Sequence, residues 1–189
     1  MLTANRVCAG DQTGQEGQDK QDSGSMTNQK ACDTGDHSAV ILSADLHQEM
    51  CNLAAMQWPE ECCGLLVASK QTPNRIRRVV AARNVADDPL RTFEIDPQTL
   101  IDTYRLARQS GDEVVGCFHS HPNGSVLPST TDRGRADVDG FLWLIIATDN
   151  SGVLDSRMYR AHHQKPTNGQ DGDVIRYFRR CVLTDGNPS

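Results

Sequence analysis

Nearly all the Leu, Ile, Val, Phe, Tyr and Trp residues of this chain fall between about Ala39 and about Leu183, and this uneven distribution sets where a core can form. Residues 1 to 37 are rich in Gly, Gln, Asp, Ser, Asn and Thr, with only scattered apolar residues such as Val7 and Met26. Such a segment shows no helical or strand period and buries too little apolar surface to offset the entropy of ordering, so a disordered N-terminal tail is expected there. Residues 38 to 183 then form one folded domain, and 184 to 189 a short C-terminal tail. A chain of 189 residues with 37% hydrophobic content suffices for one core if those residues are concentrated in this way.

Within the domain two periodicities alternate. Leu46, Met50, Leu53 and Ala54 recur at helical spacing behind Ser43, a good N-cap, and Pro59 follows, which predicts an amphipathic helix over 44–57. Asp96-Pro97 is a cap followed by proline at the first helical position, and Leu100, Ile101, Tyr104 and Ala107 predict one face of a helix over 97–109, ended by Gly111. Short runs dense in β-branched or large apolar residues predict strands at 63–68, 76–82, 114–119, 142–148 and 153–161, with Asp149-Asn-Ser-Gly152 as the turn between the last two. The fold class expected is α/β in the broad sense (α+β): a single domain with a central mixed β-sheet flanked by helices. No repeat of 20 to 50 residues and no second domain is read from the chain.

A net charge of −6 argues against nucleic acid as a partner. The short basic runs at Arg75–Arg78 and Arg176–Arg180 are expected to lie on solvated strand faces. No apolar run of about 18 residues is present, so no membrane span is expected, and the first residues do not resemble a secretory signal. Seven cysteines, with Cys62 and Cys63 adjacent and no C-x-x-C pair, fit neither a disulfide framework nor a four-cysteine metal site. A reducing, cytoplasmic location is the expectation.

The chemistry concentrates in Gly116-Cys-Phe-His119-Ser-His121-Pro122 and Pro128-Ser129-Thr-Thr-Asp132. Residues two apart on a strand share a face, so His119 and His121 can converge on one ion, and Asp132 supplies a third ligand from the start of the next helix. Three protein ligands leave a fourth tetrahedral position open, as catalytic rather than structural metal sites do. Each fragment also has a plain reading. His-x-His can be two hydrogen-bonded histidines, and Ser129-x-x-Asp132 is an ordinary helix start. The combined spacing has a chance frequency on the order of one in a thousand, which favours the site.

The segment resembles the JAMM, or MPN-plus, metallopeptidase family, whose pattern is an upstream Glu and then H-x-H-x7-S-x2-D. The family's upstream glutamate lies in E-x-C-G, which selects Glu61 of Glu61-Cys-Cys-Gly64 over Glu60, and the likeness extends through Ala82-Arg-Asn84 and Phe93-Glu-Ile-Asp-Pro97. It covers roughly residues 40 to 160 and implies an MPN-like fold of the short prokaryotic type. One zinc ion on His119, His121 and Asp132 is implied, with Glu61 as general base and Ser129 as hydrogen-bond donor to the oxyanion. The implied substrate is a peptide or isopeptide bond at the C-terminus of a ubiquitin-like or sulfur-carrier protein.

Three other readings are set beside this one. A non-catalytic MPN-type module would bind a ubiquitin-like partner without cutting it. A cysteine hydrolase would use Cys63 or Cys117 with His119, although both thiols sit in apolar runs that make inert core residues. His162-His163 reads as a pair of surface residues, since neighbours on a strand point to opposite faces.

Overall fold

The computed structural model describes residues 39–164 and 174–186, so the expected N-terminal tail lies outside the described residues. Along the chain come β1 (Val40–Ile41), α1 (Ala44–Gln57), β2 (Cys63–Ser69), β3 (Thr72–Ala82), α2 (Pro97–Ser110), β4 (Asp112–His121), α3 (Thr130–Arg135), β5 (Leu142–Asp149), β6 (Gly152–Gln164), β7 (Ile175–Arg180) and β8 (Leu183–Thr184). Every strand and both longer helices expected from the sequence are present, most of them longer by one to four residues at an end.

Both helix starts are built as the sequence requires. Ser43 Oγ accepts from the Leu46 N–H, and Asp96 accepts from the Thr99 N–H at 3.0 Å with Pro97 in the first turn. Gly111 ends α2 in the left-handed region at φ 75°, where a side chain would be strained. The inward stripe of α2 differs from the one expected. Thr103 and Ala107 are buried, whereas Ile101 is 61% exposed. Thr103 is tolerated inside because its hydroxyl donates to the Thr99 carbonyl at 2.7 Å, so no polar atom goes unpaired.

The strands form one mixed sheet in the order β7-β6-β5-β4-β2-β3-β1-β8. β4 and β5 run parallel, as β1 does with β3 and with β8, while the remaining pairs are antiparallel. β7 and β8 stand at opposite ends of that order, yet only Cys181 and Val182 separate them. Cys181 N–H donates to Met158 on β6, and Val40 N–H on β1 donates to Val182, so the sheet curls until its two margins share one stretch of backbone. Thr184, placed beyond the domain by sequence, pairs here with Ile41.

Alternation along β4 and β5 divides the core. Phe118, Leu144 and Ile146 join Leu66 and the α1 residues Met50 and Ala54 in one cluster; Cys117, Trp143 and Ile145 join Phe93 in another. Where β2, β3 and β4 pass closest, Gly64 has no substitute: a β-carbon there would collide with the Phe118 ring and the Val80 carbonyl. The basic runs lie as expected, with Arg75 and Arg77 exposed about buried Ile76, and Arg176, Arg179 and Arg180 exposed on β7. Among the described residues no helix is long and apolar enough to cross a membrane.

Candidate active site

The site is assembled by strand register. Cys63 lies opposite His119, and the same antiparallel count carried two residues back sets Glu61 across from His121. Residues directly opposite in a sheet share a face. His119 and His121 therefore share the face of Cys117 and Trp143, Glu61 lines one cleft with His121, and Glu60 is exposed. The intervening step is locked by Ser120, whose Oγ accepts from the Cys62 N–H at 2.8 Å and whose N–H donates to the Cys62 carbonyl at 3.1 Å.

Asp132 arrives from α3. Ser129 and Asp132 form a reciprocal capping box: Ser129 Oγ accepts from the Asp132 N–H at 3.1 Å, and an Asp132 oxygen accepts from the Ser129 N–H at 2.7 Å. The helix-start reading of this spacing holds, and the cap is also what aims the carboxylate. His119 Nε2 and His121 Nε2 are 3.0 Å apart, and oxygens of Asp132 lie 3.4 and 3.3 Å from them. All three residues are buried, and their donor atoms could hold one cation.

Each imidazole is fixed by a neighbour. His121 Nδ1 lies 2.9 Å from the Ser125 carbonyl; a carbonyl only accepts, so Nδ1 carries the proton and Nε2 keeps its lone pair toward the cluster. His119 stacks on Phe93 at 4.4 Å between ring centres and meets the edge of Trp143 at 5.9 Å. Its Nδ1 is buried with no hydrogen-bond partner among the described residues.

Burial depresses the basicity of His119. It opposes protonation of His121 too, but there the Asp132 carboxylate prevails and the imidazole titrates higher than usual. Asp132 shows the converse: burial acts to raise it, yet the two imidazoles against its oxygens hold it well below the ordinary carboxylate range. Burial lifts the Glu61 carboxyl to about 7, with nearby His121 and Arg135 pulling it down and Asp132 and Asp88 pushing it up.

Glu61 precedes its strand and is gripped through its backbone. Its N–H donates to the Pro89 carbonyl at 2.7 Å, and its carbonyl accepts from Asn84 Nδ2 at 2.9 Å. The same Asn84 amide donates to the Thr92 carbonyl at 3.0 Å and accepts from the N–H groups of Ala86 and Glu94, both at 3.0 Å. Sequence reading placed Asn84 and Phe93 within a family likeness but gave neither a role; the contacts of Asn84 with Glu61 and of Phe93 with His119 span more than 20 residues and carry no local signal.

Glu61, His121 and Ser129 open onto one cleft of about 740 Å³, walled further by Leu90, Arg91, Leu127 and Arg133. Cys62, Cys63 and Cys117 are free and buried, and burial pushes the first two thiols to about 11 and about 12. That environment does not make a thiolate nucleophile at neutral pH. His162 and His163 are not bare surface residues. His163 Nε2 lies 2.6 Å from the Ala136 carbonyl just beyond α3, and the His162 ring stacks on Tyr177 at 5.4 Å.

Comparison with known proteins agrees with this architecture. The chain is 37% identical over 119 residues to a desampylase of Haloferax volcanii, covering 59% of this chain and 83% of that protein. It is 25% identical over 121 residues to a CysO-cysteine peptidase of Mycobacterium tuberculosis, covering 64% and 82%. A solution structure of a Desulfitobacterium hafniense protein superposes with a TM-score of 0.58 over 77% of this chain and 93% of that one at 23% identity, a likeness of fold. Residues 43–161 match the family described as prokaryotic homologs of the JAB domain, and the chain belongs to that family.

Proposed function

We propose that residues 38–183 form a zinc-dependent peptidase domain that hydrolyses a peptide or isopeptide bond at the C-terminus of a ubiquitin-like or sulfur-carrier protein. The observation that carries this reading is the convergence of His119, His121 and Asp132, with His121 lining one cleft together with Glu61. Relatives named desampylase and CysO-cysteine peptidase support the hydrolase class and the kind of substrate.

The donor set fits zinc. Two imidazole nitrogens and one carboxylate oxygen are ordinary zinc ligands, and donors about 2.0 to 2.1 Å from a shared tetrahedral centre stand about 3.3 to 3.4 Å from one another. The observed separations of 3.0, 3.3 and 3.4 Å are of that size. When bound, such a cation supplies Lewis acidity and water acidified toward neutral pH.

The remaining work falls to side chains of this chain. Glu61 faces the cleft from across His121, takes a proton from the attacking water and delivers it to the departing amine. Ser129 uses its oxygen to accept from the Asp132 N–H, which leaves its hydroxyl proton to donate to the oxyanion that forms at the attacked carbonyl. The cap thus orients the donor and the ligand together.

The test is incubation of the zinc-loaded full chain with a ubiquitin-like carrier protein extended at its C-terminus, followed by intact mass measurement. Loss of the extension, stopped by a chelator and restored by zinc, is the expected result. A stable complex in which the substrate stays intact would instead identify a binding module and overturn the proposal.

A further inference from the structure

The cleft is cationic at its walls in a chain whose net charge is −6. Among the described residues Glu61 is the one acidic residue lining it, and Glu61 is buried; the other charges are Arg91 and Arg133, both exposed. Each arginine is tied to a component of the site. Arg133 follows Asp132 on α3, and Arg91 sits two residues beyond Pro89, whose carbonyl accepts from the Glu61 N–H.

Neither guanidinium is committed to the fold. Arg133 makes no side-chain hydrogen bond or ion pair among the described residues. Arg91 meets only Asp88, at 3.9 Å and with side chains 86% and 53% exposed, a geometry that contributes little. Their neighbour Arg135 differs, because it donates to the Phe93 carbonyl. Arg91 and Arg133 are thus two available forks above the floor where the scissile amide would lie.

The two sides of that amide differ in charge. The acyl side is a carrier tail whose own carboxyl is consumed in the bond, so it presents none. If the leaving group is a single amino acid, its carboxylate lies one carbon from the departing nitrogen. If it is a lysine side chain of a conjugated protein, the departing nitrogen is separated by four methylenes from a backbone that carries no free carboxylate. A planar guanidinium matches a carboxylate with two parallel hydrogen bonds, and no other common charge on these groups calls for that fork.

We propose that Arg91 and Arg133 read the free α-carboxylate of the leaving residue, so that the preferred substrate is a carrier extended by one amino acid rather than an isopeptide conjugate. The inference rests on the peptidase reading above and refines it. In the reaction one water is consumed, the amide C–N bond breaks, the acyl carbon gains hydroxyl, and the amino acid leaves after its nitrogen takes up a proton.

The test uses zinc-loaded full chain and three adducts of one ubiquitin-like carrier ending in Gly-Gly: alanine as the free acid, alaninamide, and a blocked lysine amide joined through Nε. Rates are read by intact mass. The acid is expected to exceed the amide by about tenfold or more in kcat/KM, mainly through KM, as charge-assisted hydrogen bonds of this kind provide. That ratio should fall to about one in the Arg91→Ala/Arg133→Ala protein, stay partial in the Arg91→Lys/Arg133→Lys protein, and shrink with added salt. Equal rates on acid and amide, or a preference that survives in the double alanine variant, overturn the inference and leave the peptidase reading standing. Cleavage of none of the three adducts removes that reading and this inference together.

Discussion

His121 Nδ1 donates to the Ser125 carbonyl at 2.9 Å, so the loop leaving β4 dictates which nitrogen of His121 faces Asp132. On the proposed reading His121→Ala is expected to drop zinc content from one ion per chain to near zero while the far-ultraviolet spectrum stays unchanged; metal analysis and circular dichroism of the dialysed protein check the two.

Glu61→Gln should keep its zinc and lose turnover, by about 10² to 10⁴ for a general acid–base residue. Side-by-side metal analysis and single-turnover assays separate this outcome from the one at His121. An active Glu61→Gln protein would refute the assignment.

Ser129→Ala removes a helix cap and, on the proposed reading, an oxyanion donor at once, and the two losses have different sizes. The cap is worth about 1 kcal/mol of stability, whereas one oxyanion donor is worth about 10² to 10³ in rate. A small fall in Tm with a large fall in kcat is expected; a fall in Tm alone would confine Ser129 to the cap.

Asn84→Ala leaves the N–H groups of Ala86 and Glu94 and the Glu61 carbonyl without their partner. Unsatisfied groups of this kind cost about 1 to 3 kcal/mol each where buried. On the proposed reading stability and kcat should both drop, with zinc content retained, because Asn84 holds the Glu61 backbone and makes no hydrogen bond to His119, His121 or Asp132 among the described residues. Thermal melts with metal analysis test this.

Burial raises the thiols of Cys62 and Cys63 to about 11 and about 12, so both are protonated at neutral pH and ionise only as pH climbs to those values. Iodoacetamide at pH 7.5 should therefore leave activity intact, while a chelator abolishes it. Inhibition by the alkylator with resistance to the chelator would reverse the choice between a metal and a cysteine hydrolase.

The parts of the site governed by short-range rules were legible in the sequence. His119 and His121 share a face because a strand repeats every two residues, and Ser129 and Asp132 meet because a helix start spaces them by three. The helix ends at Ser43, Asp96 and Gly111 are equally local. Choosing Glu61 over Glu60 needed a family likeness, because what separates them is nonlocal: Glu61 is buried and lines a cleft with His121, and Glu60 is exposed. The stripe on α2 was misread because an inward Thr103 is acceptable only once its hydroxyl finds the Thr99 carbonyl. The short strands at Val40 and Leu183 carry no period, since two residues are too few to show one, and they exist because each completes the other's hydrogen bonds.

The hold on Glu61 passes through its peptide N–H and carbonyl, and among the described residues its carboxylate makes no hydrogen bond. Side-chain identity at this position is thus uncoupled from the architecture around it. An amide in place of the acid yields a slow enzyme with a native groove, which makes the Glu61→Gln chain a bait: immobilised, it should retain the physiological substrate long enough for that molecule to be recovered uncut.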